Sequence, residues 1–245
     1  MRLPALVLAA ALGLGVGCAS ASSPDPWQSV NRPVFRFNNE VDTWVLRPVA
    51  RGWTFVTFEG FRESVSRFFF NAAFPSRFVA TLGQGKGEDG LNELGRFLVN
   101  STVGLVGFFD PATHFGFPRS NEDLGQMFGR WGIPPGPYWV IPLLGPSSPR
   151  DAVGTLGDFL MSPFLWIDVP VYGLGAVNVV NSRAMADPEI ENAKRTALDY
   201  YVFVRDAYVQ NRAAAVQDRA GDGARGPFDD LYDLPDDDDE EDDPN

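Results

Sequence analysis

Between Arg96 and Gly154, glycine or proline cuts each apolar run after a few residues and few charges stand between the pieces, which restricts this stretch to short, closely packed elements. It reads Arg96-Phe-Leu-Val-Asn-Ser-Thr-Val-Gly104, Gly107-Phe-Phe-Asp-Pro-Ala112, Leu124-Gly-Gln-Met-Phe-Gly-Arg-Trp-Gly132 and Gly136-Pro-Tyr-Trp-Val-Ile-Pro-Leu-Leu-Gly-Pro-Ser-Ser-Pro-Arg-Asp151. Gly125, Gly129, Gly132 and Gly136 follow one another at steps of four, three and four, which on one helix places them along one side. Such a side admits either another backbone in tight packing or an apolar chain. Pro134 and Pro135 end any helix here, because proline lacks the amide donor and disfavours helical angles in its predecessor. Tyr138 to Leu144 is apolar without alternation, as expected of a segment facing hydrocarbon or a core. Ser148-Pro149-Arg150-Asp151 restarts a helix, with serine as N-cap and proline at the first position.

The first seventeen residues carry one basic residue, Arg2, then a Leu/Ala run too short to span a bilayer, and read as a secretory signal. Cys18 follows directly and is the only cysteine, so it has no internal disulfide partner; its position suits a lipid acceptor. Gly15 stands where the usual lipoprotein box has a branched apolar residue. At the other end, eleven acidic and no basic residues lie between Asp229 and Asn245, so the net charge of −12 leaves about −1 on the rest of the chain. Residues 221–245 are expected to form a disordered acidic tail. Neither part offers the basic footprint that nucleic-acid binding requires. The 44% apolar and 13% aromatic content suits one folded domain, expected over residues 27–220 behind an anchor linker at 18–26.

Helical periodicity dominates this domain. From Asp25 to about Arg51, Val30, Val34, Phe37, Val41, Val45 and Val49 form one stripe, widened by Phe35 and Trp44. Further helices are expected over Phe61–Leu82, with a break at Phe74-Pro75, and over Glu88–Val99, with Leu91, Leu94 and Leu98 on one side and Arg96 off that stripe. Phe159–Val180 is the longest apolar region, but Pro163, Asp168 and Pro170 argue for two short segments joined at Asp168 rather than a membrane span. Asp187-Pro188-Glu189 opens the last helix with aspartate as its cap, and Ile190, Ala197, Tyr201, Val204 and Tyr208 give its apolar face.

Chemistry finds little support. The single histidine, His114, has no Gly-x-Ser-x-Gly elbow to serve as base for, and no second histidine exists to build a zinc cluster. Asp110 before Pro111 reads as a helix cap. Arg130, Arg150 and Arg205 are suited either to a lipid phosphate or to ion pairs with Asp123, Asp151 or Asp206.

The block from Arg96 to Asp151, the opening Asn31-Arg-Pro-Val-Phe-Arg-Phe-Asn38 and the closing Val204-Arg-Asp-Ala-Tyr-Val-Gln-Asn-Arg212 together resemble the MlaA/VacJ family of outer-membrane lipoproteins, from about Asp25 to about Arg212. The resemblance implies an all-α fold, a ring-like bundle of amphipathic helices in the periplasmic leaflet around a lipid channel. It implies a non-enzymatic protein, anchored through Cys18 at the periplasmic side of the outer membrane, that removes mislocalised phospholipids from the outer leaflet. Its implied partners are phospholipids, trimeric porins and a soluble MlaC-like periplasmic carrier, with no cofactor beyond the covalent lipid. Candidate lipid-passage residues are Phe35, Phe37, Asn38, Gly125, Gly129, Gly132, Gly136 and Tyr138. Ile133-Pro134-Pro135 departs from the family, which commonly has glycines just ahead of Gly-Pro-Tyr. A structural lipoprotein that only binds porin or lipid would share these features, and a lipid hydrolase is the enzymatic alternative.

Overall fold

The computed structural model describes residues 25–166 and 171–218. The signal, Cys18, Asp168 and the acidic tail expected from the sequence lie outside the described residues.

The chain enters α1 (Gln28–Val41), passes through a π-helical turn (Asp42–Leu46) and continues as α2 (Arg47–Val56). The widened turn lies just before Pro48, whose missing amide cannot bond back into the preceding turn. The helical path therefore runs past the expected end near Arg51, stopping where Thr57 turns extended. Next come α3 (Glu59–Ala72) and α4 (Phe74–Gly83), broken at Ala73 with Pro75 in the first turn of α4, as the sequence indicated. Then follow α5 (Gly87–Thr102), the single-turn α6 (Pro111–His114) and α7 (Leu124–Arg130). A small hairpin of β1 (Trp139–Ile141) and β2 (Gly145–Ser147) pairs Trp139 with Ser147, Val140 with Pro146 and Ile141 with Gly145. It is the only sheet among the described residues of an otherwise helical fold. The chain closes with α8 (Pro149–Leu160), a 3-10 turn (Pro163–Leu165), α9 (Val171–Met185), α10 (Asp187–Thr196) and α11 (Tyr200–Val216).

Local signals account for several of these starts. Ser148 Oγ accepts from the Asp151 amide at 3.2 Å, and Asp110 Oδ1 accepts from the Thr113 amide at 3.3 Å. Asp187 departs from expectation: Ala186 holds the cap position, and the Asp187 carboxylate instead joins Arg47 at 3.0 Å and Arg183 at 2.7 Å. The expected last helix is two helices, because Asp199 caps a fresh start by accepting from the Val202 amide. Ile190 thus belongs to α10, while Tyr201, Val204 and Tyr208 belong to α11.

α7 packs on α8 and α4, α4 on α5, α9 on α2 and α3, and α11 on α7 and β2, while α1 lies along β1. Among the described residues, buried apolar side chains gather in two small clusters. Ala80, Leu124 and Met127 form one with Phe128 and Met161; Tyr138, Val140 and Tyr201 form the other with Val34, Phe35, Val202 and Tyr208. Among the described residues, eighteen polar or charged side chains are buried against twelve apolar or tyrosine ones. A water-soluble domain has the reverse preference.

Helix α5 and the path of α1 into α2 show the same inversion. On α5 the expected leucine stripe faces outward, with Leu91 and Leu98 exposed, and the buried face is Glu93, Arg96 and Asn100. Along α1, the π-helical turn and α2, Val30, Phe37, Trp44, Val45 and Val49 are exposed, while Asn31 and Ala50 are buried. Among the described residues no helix is long and apolar enough to cross a membrane.

Candidate functional site

The hairpin is held by side chains of α1. Asn31 donates its amide to the Tyr138 carbonyl at 2.9 Å, and its own side-chain oxygen accepts from the Val140 amide at 3.0 Å. Two turns along the same face, Asn38 donates to the Ile141 carbonyl at 2.9 Å and accepts from the Leu143 amide at 2.8 Å. Each carboxamide mimics the donor and acceptor of a backbone unit, so α1 satisfies β1 where a third strand would otherwise be needed. Asp25 fixes Asn31 in turn, accepting from its amide at 3.0 Å, and also accepts from the Tyr201 hydroxyl. Burial and that carboxylate push the Tyr201 hydroxyl up from its ordinary value.

Around the clamp, Phe35 is half-buried, with ring centres 5.4 Å from Tyr200 and 5.3 Å from Tyr201. Tyr138 is buried, 5.8 Å from Tyr208 and 6.3 Å from Tyr201, and its hydroxyl has no hydrogen-bond partner among the described residues. Burial pushes that hydroxyl strongly up. Phe37 is exposed on the outer side of α1, and Leu143 and Leu144 project at the hairpin tip. Thus Phe35, Asn38 and Tyr138 lie together, with Phe37 on the neighbouring outer face.

The four glycines do not share one helical side. Gly125 and Gly129 lie in α7, but that helix ends at Arg130, and Gly132 and Gly136 follow it with φ of +86° and +78°. These left-handed angles, with Pro134 and Pro135 between them, turn the chain from α7 into the hairpin, which is why the stripe ends. The space beside the first two is taken. A side-chain carbon on Gly125 would fall 2.7 Å from Arg212 Nη2, and one on Gly129 would fall 2.7 Å from Val216 Cγ2. Gly132 has open space, while Gly136 lies against Pro149.

Behind Gly125 is a charged junction. Arg212 of α11 binds Asp123 at 2.5 Å and Asp151 at 2.9 Å, and the Tyr208 hydroxyl donates to Asp151 at 2.5 Å. Burial opposes the charge on Asp151, yet Arg212 and Tyr208 hold its carboxyl down at about 2. Asp158, facing the same junction, is pushed up to about 6 by burial and by Asp123.

Other buried charges join helix to helix. Arg77 of α4 meets Glu93 of α5 at 3.0 Å, Arg96 meets Asp110 at 2.5 Å, and Arg183 of α9 meets Asp42 at 2.6 Å. Of the arginines singled out from the sequence, Arg150 and Arg205 pair with their neighbours Asp151 and Asp206, and Arg130 pairs with Asp218. Sequence reasoning missed Arg77, Arg183 and Arg212. Their partners, Glu93, Asp42 and Asp123, lie on other elements, so no local pattern marks these arginines. His114 is exposed at the end of the single-turn α6.

The outer surface completes the picture. Phe55, Val56 and Phe58 form an exposed corner between α2 and α3; Val103, Leu105, Val106 and Phe109 form another after α5; Leu156, Phe159, Leu160 and Trp166 form a third around the end of α8. Charges inside and oil outside are the partition expected of a protein solvated by lipid. The model of the family described as MlaA lipoprotein matches residues 23–215. The chain belongs to the MlaA lipoprotein family. An uncharacterised protein of Rickettsia felis is 31% identical over 79% of this chain and 78% of its own length. The intermembrane phospholipid transport system lipoprotein MlaA of Shigella flexneri is 28% identical over 96% of this chain and 98% of its own. A solved chain, reported with the structural basis for maintenance of bacterial outer membrane lipid asymmetry, is similar with a TM-score of 0.66. It is 28% identical and covers 78% of this chain and 98% of its own. The MlaA family match includes the whole Asn31 and Asn38 clamp, the hairpin and the Arg212 junction.

Proposed function

We propose that this protein takes mislocalised glycerophospholipids from the outer leaflet of the outer membrane and passes them to a soluble MlaC-like periplasmic carrier, keeping the membrane asymmetric. The observation that carries this reading is the inverted partition of the helices in an MlaA-family chain: Glu93, Arg96 and Asn100 are buried while Leu91 and Leu98 of the same helix face out. The names of the Shigella relative and of the solved structure support it. Cys18 carries the lipid anchor at the periplasmic side, and trimeric porins hold the protein in place.

Passage needs no bond to be made or broken. Polar interior groups keep a headgroup solvated while acyl tails follow apolar surface. The route runs on the hairpin side of the fold, past Phe37, Asn38, Tyr138, Gly132 and Gly136, with Phe35 supporting it from behind. Gly125 and Gly129 act in packing, since Arg212, Asp151, Arg150 and Val216 fill the space beside them.

The test is deletion of the gene followed by measurement of outer-leaflet phospholipid with an externally added phospholipase. The expected result is accumulation, reversed by the wild-type chain and not by Cys18→Ala. Unchanged outer-leaflet phospholipid would favour a purely structural lipoprotein. Fatty-acid release by the purified protein, abolished by His114→Ala, would overturn the non-enzymatic reading.

A further inference from the structure

Where α2 turns into α3 and α9 into α10, a cleft of about 480 Å³ is lined by Arg51, Thr54, Phe55, Glu59, Arg62 and Asp187, among others. We infer that this cleft is a binding site for the headgroup of a zwitterionic phospholipid, with the phosphate between Arg51 and Arg62 and the ammonium on Glu59. The site rests on the reading of the protein as embedded among lipids, but not on transport.

Charge is the first argument. Asp187 is held by Arg183 at 2.7 Å and Arg47 at 3.0 Å, so it leaves Arg51 with only a 4.0 Å contact. Arg183 and Arg47 also hold the Asp187 carboxyl below its ordinary value against the cost of burial. Arg62 donates one Nη to the Thr57 carbonyl at 2.6 Å and makes no ion pair among the described residues. Glu59, at the first position of α3, likewise has no cationic partner there. Two guanidinium groups with capacity to spare and one spare carboxylate match a phosphodiester joined to an amine, and guanidinium is well suited to grip phosphate.

Depth is the second argument. Phe55 lines the cleft, and Phe55, Val56 and Phe58 are 91%, 72% and 74% exposed on the corner beside it. Apolar side chains so fully presented at a helix corner lie comfortably in hydrocarbon, which puts the adjoining arginines at the level of the headgroups. The cleft is large enough for a headgroup and not for a whole lipid, so the acyl chains lie along the corner outside it.

The experiment titrates delipidated full-length protein in detergent with dioleoyl-phosphatidylethanolamine, dioleoyl-phosphatidylglycerol or dioleoylglycerol and reads bound lipid by native mass spectrometry. Phosphatidylethanolamine should bind best. Arg51→Gln with Arg62→Gln should weaken it about tenfold, the loss expected for charge-assisted phosphate contacts. Glu59→Gln should retain phosphatidylglycerol and lose the preference for the amine. Arg51→Gln alone, which breaks only the 4.0 Å contact, keeps the fold and should already show part of the loss. The proposal is overturned if the double variant, with wild-type helicity by circular dichroism, binds phosphatidylethanolamine as the wild type does, or if dioleoylglycerol binds equally well. A deletion strain with normal outer-leaflet phospholipid would remove the transport reading and leave this binding result standing.

Discussion

The side-chain oxygen of Asn38 accepts from the backbone amide of Leu143 at 2.8 Å, so a residue in the first helix holds the tip of a hairpin 105 positions away. The same side chain donates to Ile141, on the other side of Pro142, at 2.9 Å. Leu143 itself sits at a φ of +64°, in the left-handed region that favours glycine. The turn therefore depends on an outside partner, and α1 supplies it.

Replacing Asn38 by leucine removes both bonds while keeping the side chain's bulk. The expected cost is about 1–3 kcal/mol of stability, since two backbone groups lose their partners. Amide exchange at Leu143 should accelerate, while exchange at Val140, held by Asn31 at 3.0 Å, stays near the wild-type rate. Hydrogen-exchange mass spectrometry over residues 138–147 separates the two, and equal acceleration at both would show the clamp acting as one unit.

The crossing of α7 and α8 is a backbone contact. A side-chain carbon on Gly154 would fall 2.4 Å from the Gly125 nitrogen and 2.6 Å from its Cα, with no flexible side chain to yield. Gly154→Ala should therefore destabilise by about 1–3 kcal/mol by overpacking. Gly132→Ala meets open space and suffers only its left-handed φ of +86°, with an expected cost of roughly 1 kcal/mol. Thermal unfolding of the two variants side by side checks the order, and Gly132→Ala as the worse of the pair would refute this account of the glycines.

Glu93 is 1% exposed and meets Arg77 at 3.0 Å. Glu93→Ala leaves the Arg77 guanidinium buried without that carboxylate, and should cost roughly 3–5 kcal/mol. Glu93→Leu leaves the same charge and should be no better, whereas Glu93→Gln keeps an acceptor and should recover part of the loss. Denaturant unfolding in detergent measures all three. A neutral Glu93→Leu would mean that the buried pair contributes shape rather than charge compensation.

Much of this fold is legible in the sequence because its signals are local. Ser148 and Asp110 announce helix starts through hydrogen bonds three residues long, and Phe74-Pro75 announces a break through proline sterics. The periodic stripes on α1 and α5 are equally plain, but periodicity gives a face and not its direction. Only tertiary placement shows that Leu91 and Leu98 point out and Glu93 and Arg96 point in. Glycine spacing misleads for a related reason: Gly132 and Gly136 keep the rhythm of Gly125 and Gly129 after the helix has ended. Pairings such as Arg212 with Asp123, across 89 residues, arise from how α11 crosses α7, and nothing near either residue encodes that.

Asp158 makes the stability of the α7–α8 junction depend on pH in a definite direction. Burial and the Asp123 carboxylate raise its pKa from 3.8 to about 6. Below the ordinary value the group is protonated in both folded and unfolded chains and its contribution is fully present. As pH rises from about 4 through about 6, the unfolded chain releases the proton first, so stability is lost across that window and then levels off. Asp42, Asp110, Asp123, Asp151, Asp187 and Asp199 are shifted the other way, so their contributions are present above the ordinary value and fall away only in stronger acid. Asp158→Asn keeps the oxygen that accepts from the Leu124 amide at 3.3 Å and removes the charge. The variant should match the wild type near pH 4 and exceed it at pH 7 by on the order of 1 kcal/mol, after allowing for solvent screening of a partly exposed group. Unfolding measured from pH 4 to pH 8 tests this, and parallel curves for the two proteins would remove Asp158 as the source of the pH dependence.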